Sequence, residues 1–328
     1  MVKNFERVNF MGFTKYKLGV IPSPQDERDF KVSMFFQTPP QRPDNYRIPY
    51  IPGVYDQGDV GQCVAFALAG IKESQEWKER GRRVRYASSF IYGNRTNLHY
   101  QGEGMVPRQA LSMLVISGVP EWDEMPWIKE YPECRAYVRA NRERLHQLAR
   151  PQRIEKYFRI DTPDDGMTAL LHTGNPFMYC IAVYPSFFEV NPVSGIVPDV
   201  RPFETILGYH AMKGIGWQTI ADKRYWLVHN SWSDKWGKGG FCLIPFDYAG
   251  ADEMWGLTDH DPRIPPKKQI TLRLDSREVD VNGIKQLIEV APVLLNGRTM
   301  VPIRFISEVM GFKVHWDQAT KTVTIVEP

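Results

Sequence analysis

The most informative segment of this chain is Val54-Tyr-Asp-Gln57-Gly-Asp-Val-Gly-Gln-Cys63-Val-Ala-Phe-Ala-Leu-Ala-Gly70. It places a cysteine between a glycine-containing loop and an apolar segment that predicts a helix. Such a loop points backbone N–H groups and the positive end of the helix dipole at the first side chain of the helix. A thiol there is biased toward the thiolate, the form that attacks carbonyl carbon. The alternative is that Cys63 is a core residue, because buried free cysteines are common and usually inert.

Two later segments contain the partners that a nucleophilic cysteine needs. His210 stands in Leu207-Gly-Tyr-His210-Ala-Met, which reads as a turn that leads into a strand, and Asn230 follows the strand Tyr225–His229. A catalytic thiol requires an imidazole, and the imidazole requires a third group to hold its orientation. The separation of Cys63 and His210 falls within the roughly 130–150 residues expected of one protease type. Alternatively, His210 is an ordinary strand-end histidine and Asn230 closes a turn.

These three segments resemble the papain family of cysteine peptidases, and the resemblance spans residues 45 to about 258. Its most specific part is the Asn-Ser-Trp…Trp-Gly…Gly-Phe pattern at 230–241. The resemblance implies that Cys63 is the nucleophile and that His210 is its ion-pair partner and later the general acid. It implies that Asn230 accepts the imidazole hydrogen bond and that Trp232 covers this bond. Gln57 is implied as a donor in the oxyanion hole. The resemblance also implies a low thiol pKa.

The chain departs from the family pattern around the nucleophile. Val60, Gln62 and Val64 replace residues of the usual local signature. None of these changes removes a catalytic atom, and they indicate a divergent bacterial or phage-borne branch. The segment that begins at Gly102 resembles the glycine stretch that pairs with an extended substrate, but only Gly104 fits it well. Gly104 and Trp232 are therefore the candidate substrate-binding residues.

The periodicity of apolar residues predicts helices in the first half of the chain and strands in the second. Helices are expected at 62–79, 107–117 and 133–149, and strands at 177–183, after His210, at 225–229 and at 240–244. The expected fold class is α+β, with a helical lobe, an antiparallel β lobe and the cleft between them. The expected boundaries are an extended N-terminal segment at 1–45 and a peptidase domain at 46–260.

A second, smaller domain is expected after a proline-rich linker at 261–268. Residues 269–328 contain the hairpin signal Asn296-Gly297 and a short helix from Pro302 to Met310. This segment resembles the domain named after the N-terminus of copper amine oxidases, a small α/β accessory domain. We expect no metal site, because His315 is its one histidine and it has no cysteine. A binding or spacing role is expected instead, with a surface or protein partner.

Composition restricts the functional classes. The net charge of +3 is too small to indicate binding to nucleic acid, and no run of apolar residues is long enough to span a membrane. No signal peptide is recognisable, and four cysteines are too few for a disulfide framework. These features favour a cytoplasmic protein, whereas the accessory domain favours the cell surface or the exterior.

The leading hypothesis is a cysteine peptidase without a cofactor that hydrolyses peptide or protein substrates through a thioester on Cys63. Two alternatives remain. One is a catalytically silent papain-fold protein used for binding or adhesion. The other is a Cys-His amidase that acts on cell-wall peptides.

Overall fold

A computed structural model describes residues 16–37, 39, 41–95, 102–259, 270–281 and 284–326. The chain divides into two compact units, one formed by residues 1–77 and 83–264 and the other by residues 78–82 and 265–328. The expected linker at 261–268 lies outside the described residues, as does the beginning of the N-terminal segment at 1–15. None of the described helices is long and apolar enough to cross a membrane.

Helices dominate the first half of the larger unit. In chain order they are α1 (Cys63–Arg80), α2 (Ser88–Gly93), α3 (Pro107–Ser117), α4 (Tyr131–Ala140) and α5 (Arg142–Ala149). The predicted helices at 62–79 and 107–117 are confirmed by α1 and α3. The single helix expected at 133–149 is wrong. It breaks at Asn141, whose side chain donates to the carbonyl of Tyr137 at the end of α4, as this residue type often does near helix ends.

Helix α1 is the central element of the helical half, and its residues 63–76 are all buried. Lys78 and Arg80 lie in the last turn, where a positive charge complements the helix dipole. Gly81 follows with a φ of +67°, the left-handed conformation that commonly ends a helix. Because α1 is surrounded by the core, its first residue, Cys63, lies inside the molecule.

An antiparallel sheet forms the second half of the larger unit. Its strands are β1 (Tyr46–Arg47), β2 (Lys156–Ile160), β3 (Phe177–Val183), β4 (Gly208–Ile220), β5 (Lys223–His229), β6 (Phe241–Pro245) and β7 (Ala251–Thr258). The order is β2-β7-β3-β4-β5-β6, and β1 pairs with β4. The strands expected at 177–183 and 225–229, and the one after His210, are confirmed; the one expected at 240–244 is confirmed with a shift of one residue. The sequence analysis did not predict β1, β2, β7 or the helix α6 (Pro163–Thr173), which Thr162 caps.

Strand β3 separates two hydrophobic cores. Met178 and Cys180 contribute to the core that contains α1 and the other helices of the first half. Phe177, Tyr179 and Ile181 contribute to the core on the opposite face, together with residues of α6. Successive side chains of a strand point to opposite faces of its sheet, so a strand buried on both faces reads as one continuous apolar run.

The smaller unit contains short strands and one helix. Its elements are β8 (Ile270–Leu272), β9 (Glu278–Val281), β10 (Ile284–Leu287), β11 (Val293–Leu295), β12 (Arg298–Met300), α7 (Ile303–Val309), β13 (Lys313–Asp317) and β14 (Thr322–Val326). The predicted hairpin is confirmed, since β11 and β12 pair around Asn296 and Gly297, with φ angles of +51° and +71°. Positive φ at both central residues is typical of a two-residue hairpin turn.

We predict that Trp226→Ala destabilises the larger unit by about 3–5 kcal/mol, because it removes a fully buried ring and leaves a cavity. Trp226 packs against Phe177 and Phe246, with ring centroids at 5.1 and 4.2 Å. The control is Trp316→Ala on β13, whose side chain is 47% exposed. Urea unfolding of both variants measures the difference, and equal losses of stability would contradict the described packing.

Candidate active site

Cys63 is the first residue of α1, and its sulfur is completely buried. Backbone N–H groups surround it, from Cys63 and Val64 at the helix start, from Ala211 on β4, and from Gly19 in the N-terminal segment. Burial raises the pKa of the Cys63 thiol to about 11, and these N–H groups offset only part of that effect. The low thiol pKa expected from the sequence is therefore wrong for this conformation, because the desolvation of the thiolate outweighs the helix dipole and the amides.

His210 and Asn230 form the hydrogen bond that the sequence predicts. Nε2 of His210 lies 2.7 Å from Oδ1 of Asn230, which also accepts the amide of Ser231. Because a carbonyl oxygen can only accept, Nε2 carries the hydrogen and Nδ1 is left as the basic nitrogen. Nδ1 is buried and has no hydrogen-bond partner among the described residues. Burial lowers the pKa of His210 to about 4, and the hydrogen bond to Asn230 opposes this shift.

The antiparallel sheet brings these groups to one place. Lys213 on β4 pairs with His229 on β5, so that Asn230, which follows β5, lies beside His210 at the start of β4. The amide of Ala211, the next residue after His210, points to the Cys63 sulfur. The thiol, the imidazole and the carboxamide therefore converge from α1 and two neighbouring strands.

Trp232 lies over the imidazole, as the sequence analysis expected. The ring of His210 stacks on the indole at a centroid distance of 4.2 Å, and both side chains are fully buried. An apolar cover excludes water, which strengthens the hydrogen bond beneath it. On β5, His229 contributes nothing to this arrangement, since its ring stacks on Phe241 and its nearby charges are those of Lys213 and Arg47.

Gln57 is buried beside the Asn230 turn, but its side-chain amide is already engaged. Nε2 donates to the carbonyl of Val60 at 2.8 Å and to the carbonyl of Lys17 at 3.1 Å. Oε1 accepts the hydroxyl of Ser231 at 2.7 Å. The carbonyl of Lys17 thus occupies the donor that the sequence analysis assigns to the oxyanion hole, and the role of Gln57 as an oxyanion donor stays a prediction. Ser231, which fixes the orientation of the amide, was not predicted.

A segment of the N-terminal region, Tyr16–Ile21, occupies the cleft at Cys63. The amides of Gly19 and Val20 both donate to the carbonyl of Tyr209 at 3.1 Å. Met105 donates to the carbonyl of Gly19 at 2.8 Å and accepts the amide of Ile21 at 2.9 Å. This position could not be predicted from the sequence, which indicates only an extended segment at 1–45.

Gly104 lies against the same segment, but it does not pair with it. The amide of Gly104 donates to the hydroxyl of Tyr92, and its carbonyl accepts from Arg95. The backbone pairing with the segment is made by the next residue, Met105, which forms a parallel bridge with Val20, and the pairing of Gly104 with a substrate stays a prediction. Met105 is not a glycine, so the glycine pattern that drew attention to Gly104 could not identify it.

The three remaining cysteines are buried free thiols, namely Cys134, Cys180 and Cys242. Burial raises the pKa of each thiol. A thiol that stays protonated is a poor nucleophile. Within the described parts of the chain, no group of three or more His, Cys, Asp or Glu side chains is arranged to hold a metal ion.

Several known proteins are similar to this chain. An uncharacterized peptidase C1-like protein of Acanthamoeba polyphaga mimivirus is 28% identical over 253 residues, which are 72% of this chain and 79% of the viral protein. A cysteine protease of Blomia tropicalis is 23% identical over 197 residues, 58% of this chain and 56% of that protein. The chain thus spans most of the viral relative but only about half of the mite protease.

Solved structures show the same fold. Xylellain, a cysteine protease from Xylella fastidiosa, superposes with a TM-score of 0.63 at 24% identity, over 77% of this chain and 100% of xylellain. The bromelain protease from Ananas comosus, in complex with the E64 inhibitor, gives a TM-score of 0.53 at 17% identity, over 67% of this chain and 100% of bromelain. The predicted papain-like α+β fold is therefore confirmed.

Family models match both parts of the chain. The model of the copper amine oxidase N-terminal domain matches residues 263–325. The model of the papain family cysteine protease matches residues 40–254, which is more than half of the chain. With Cys63, His210 and Asn230 converging at one site, the chain belongs to the papain family of cysteine proteases.

Proposed function

We propose that this protein is a cysteine peptidase that hydrolyses peptide bonds through a thioester on Cys63. The observation that carries the proposal is the hydrogen bond between Nε2 of His210 and Oδ1 of Asn230. It leaves Nδ1 of the same ring as the basic nitrogen. The next residue, Ala211, points its backbone amide at the Cys63 sulfur. A thiol, a basic nitrogen and an orienting group in this order are what nucleophilic catalysis requires.

The chemistry follows from these positions. The Cys63 thiol gives its proton to Nδ1 of His210, and the sulfur bonds to the carbonyl carbon of the substrate. His210 passes the proton to the leaving amine as the C–N bond breaks, and a thioester remains. His210 then takes a proton from water, and the hydroxide bonds to the thioester carbon. The C–S bond breaks, the acid product leaves, and the thiol recovers its proton.

Gln57 acts in this proposal as a donor to the oxyanion, together with the backbone N–H of Cys63. Its side-chain amide already donates to a peptide carbonyl oxygen of this chain, the carbonyl of Lys17. Ser231 and the carbonyl of Val60 hold the amide in that orientation. A donor fixed before the reaction needs no reorganisation as the negative charge develops.

Replacement of Gln57 by alanine should lower kcat by a factor of about 10²–10³, the usual effect of the loss of one oxyanion donor. Gln147→Ala on α5 is the matched control, because that side chain is exposed and far along the chain from the site. Steady-state hydrolysis of a peptide substrate measures both variants. An unchanged kcat in the Gln57 variant would contradict the role.

The protonation states of Cys63 and His210 predict how the reactivity of the thiol depends on pH. With a thiol pKa of about 11 and an imidazole pKa of about 4, both groups are neutral at pH 7. Because the thiol pKa is raised, the thiolate appears only as the pH rises toward 11. Alkylation of Cys63 by iodoacetamide in the wild-type protein should therefore be slow at pH 7 and accelerate steadily into the alkaline range. Peptide mapping by mass spectrometry measures this rate, and rapid labelling with a plateau below pH 7 would contradict the described environment.

One experiment tests the peptidase proposal against its alternatives. The wild type, Cys63→Ala and the control Cys242→Ala are incubated with the epoxide inhibitor E64 and, separately, with an unstructured protein substrate. We expect E64 on Cys63 and substrate cleavage in the wild type and the control, and neither in Cys63→Ala. Labelling without cleavage would favour a silent binding protein, or an amidase if cell-wall peptides are hydrolysed instead. Absence of both reactions in the wild type and the control would refute a reactive thiol.

The C-terminal domain is proposed as a binding or spacing module. In its described part, large apolar side chains such as Leu294, Val323 and Trp316 are exposed, and few, such as Val279 and Ile288, are fully buried. A small domain with little core commonly depends on further contacts for its stability. A surface or protein partner for this domain therefore remains an expectation, as does the cytoplasmic location.

A further inference from the structure

We propose that Phe203 is a surface anchor for protein substrates, a ring that contacts an apolar side chain of a polypeptide whose scissile bond lies in the cleft. The inference rests on the proposed function and adds a contact outside the catalytic groups. Phe203 lies in the connection between β3 and β4, upstream of His210, and its side chain is fully exposed. Aromatic residues, phenylalanine among them, are enriched in the buried centres of protein interfaces.

The backbone conformation of Phe203 is unusual for a residue with a side chain. Residues Arg201–Glu204 form a turn in which the amide of Glu204 donates to the carbonyl of Arg201 at 3.3 Å. Pro202 is its second residue, and Phe203, the third, has a φ of +70°. This is the pattern of a type II turn, whose third position favours glycine or asparagine. A bulky side chain in this left-handed region is a strained outlier.

Folding alone does not account for this ring. The left-handed backbone costs free energy at a residue that carries a Cβ atom, and glycine would remove that cost. The ring of Phe203 contributes nothing to a core, because all of it is exposed. Strained conformations that a structure maintains are concentrated at functional sites. A contact with another molecule therefore explains both the strain and the exposure.

A rigid turn holds the ring in place. The carboxylate of Glu204 accepts the amide of Ser186 at 2.8 Å, the hydroxyl of Ser186 at 2.7 Å and the amide of Arg201 at 2.9 Å. The guanidinium of Arg201 binds the carboxylate of Glu189 through two nitrogens. Both Ser186 and Glu189 belong to the 3-10 helix Pro185–Glu189. A ring presented by a preformed turn loses little conformational entropy when it binds.

The same short helix forms a wall of the cleft. Its Phe188 ring stacks on Trp232 at a centroid distance of 5.8 Å, with the two planes 8° apart, and Trp232 covers His210. Tyr16, from the segment that lies in the cleft, stacks on both rings, at 4.6 Å on Trp232 and at 6.2 Å on Phe188. A polypeptide in the cleft therefore runs along the helix to which the turn of Phe203 is bound. This path makes a protein substrate, which extends beyond the cleft, the partner of the ring.

The length of the substrate decides whether the ring contributes to binding. A protein can place an apolar side chain on Phe203, whereas a short peptide ends before it reaches the ring. The ring is fully exposed, and Cys63 and His210 are fully buried, so Phe203 lies outside the chemistry. Loss of the ring should therefore raise KM for a protein substrate and leave kcat unchanged.

The test measures steady-state hydrolysis of an unstructured protein, and of a short peptide that spans one of its cleavage sites. The full-length wild type is compared with Phe203→Gly, Phe203→Tyr and the control Ile116→Ala; Ile116 on α3 is also apolar and is 73% exposed. We expect KM for the protein to rise about fivefold or more in Phe203→Gly, the usual effect of the loss of one interface anchor, with kcat unchanged. The other two variants should keep the wild-type KM, and all four proteins should hydrolyse the short peptide at equal rates.

Thermal unfolding excludes a loss of structure as the cause. Because glycine relieves the strain at this position of the turn, Phe203→Gly should unfold at a Tm equal to or above that of the wild type. An unchanged KM for the protein in Phe203→Gly, or an equal rise in KM for the short peptide, would overturn the anchor and leave the peptidase intact.

A binding measurement separates the anchor from the proposed function. Cys63→Ala and the double variant Cys63→Ala/Phe203→Gly are titrated with the same protein carrying a fluorescent label, and Kd should rise about fivefold on loss of the ring. This rise without any hydrolysis by the wild type would refute the peptidase and keep the anchor, whereas equal Kd values would overturn the anchor. A wild-type dimer that Phe203→Gly converts to a monomer in gel filtration would assign the ring to a second copy of the chain and overturn the substrate role.

Discussion

The enclosure of the Cys63 sulfur by backbone amides is the constraint on which the rest of the structure depends. One pair of amides comes from the start of α1, one amide from β4 and one from the N-terminal segment. The first two sources belong to the helical half and the sheet half, so they fix the distance between the thiol and His210. The third covers the thiol and removes it from water. The same contacts therefore bring the proposed catalytic groups together and bury them.

Desolvation decides the chemical state of these groups. A fully buried thiol and a fully buried imidazole both prefer their neutral forms, and burial is the largest influence on each pKa. An ion pair between the thiolate and the imidazolium becomes favourable only in an environment that solvates these charges better than the buried one. In the proposed mechanism, the hydrogen bond to Asn230 orients the imidazole for that ion pair.

The candidate catalytic groups could be predicted from the sequence, because Cys63, His210 and Asn230 stand in short motifs with specific neighbours. The sequence analysis did not predict what covers them. The segment Tyr16–Ile21 has no periodicity, and its position depends on contacts with Gln57, Met105 and Tyr209, which are far away in the chain. For the same reason the thiol pKa was predicted in the wrong direction, since burial is a tertiary property.

The helices and strands also divide into those that local sequence predicts and those that depend on tertiary contacts. The long, buried α1 and the apolar strand β3 were predictable from local pattern, whereas the break between α4 and α5 at Asn141 was not. Arg and Ala residues on both sides of Asn141 favour one continuous helix, and a single side-chain hydrogen bond at the end of α4 accompanies the break. The pairing of Met105 with the N-terminal segment was equally unpredictable, because it is made by backbone groups, which every residue type has.

Amide hydrogen exchange of the wild-type protein, followed by mass spectrometry with and without a covalent peptide inhibitor, tests the central claim most directly. The account predicts that the amides of Gly19, Val20 and Ile21 are protected in the free protein, because the first two donate to the carbonyl of Tyr209 and the third donates to the carbonyl of Met105. The inhibitor should occupy the cleft and bring these amides to the exchange rates of an unfolded chain. Unprotected amides in the free protein, or protection that persists beside the bound inhibitor, would contradict the account.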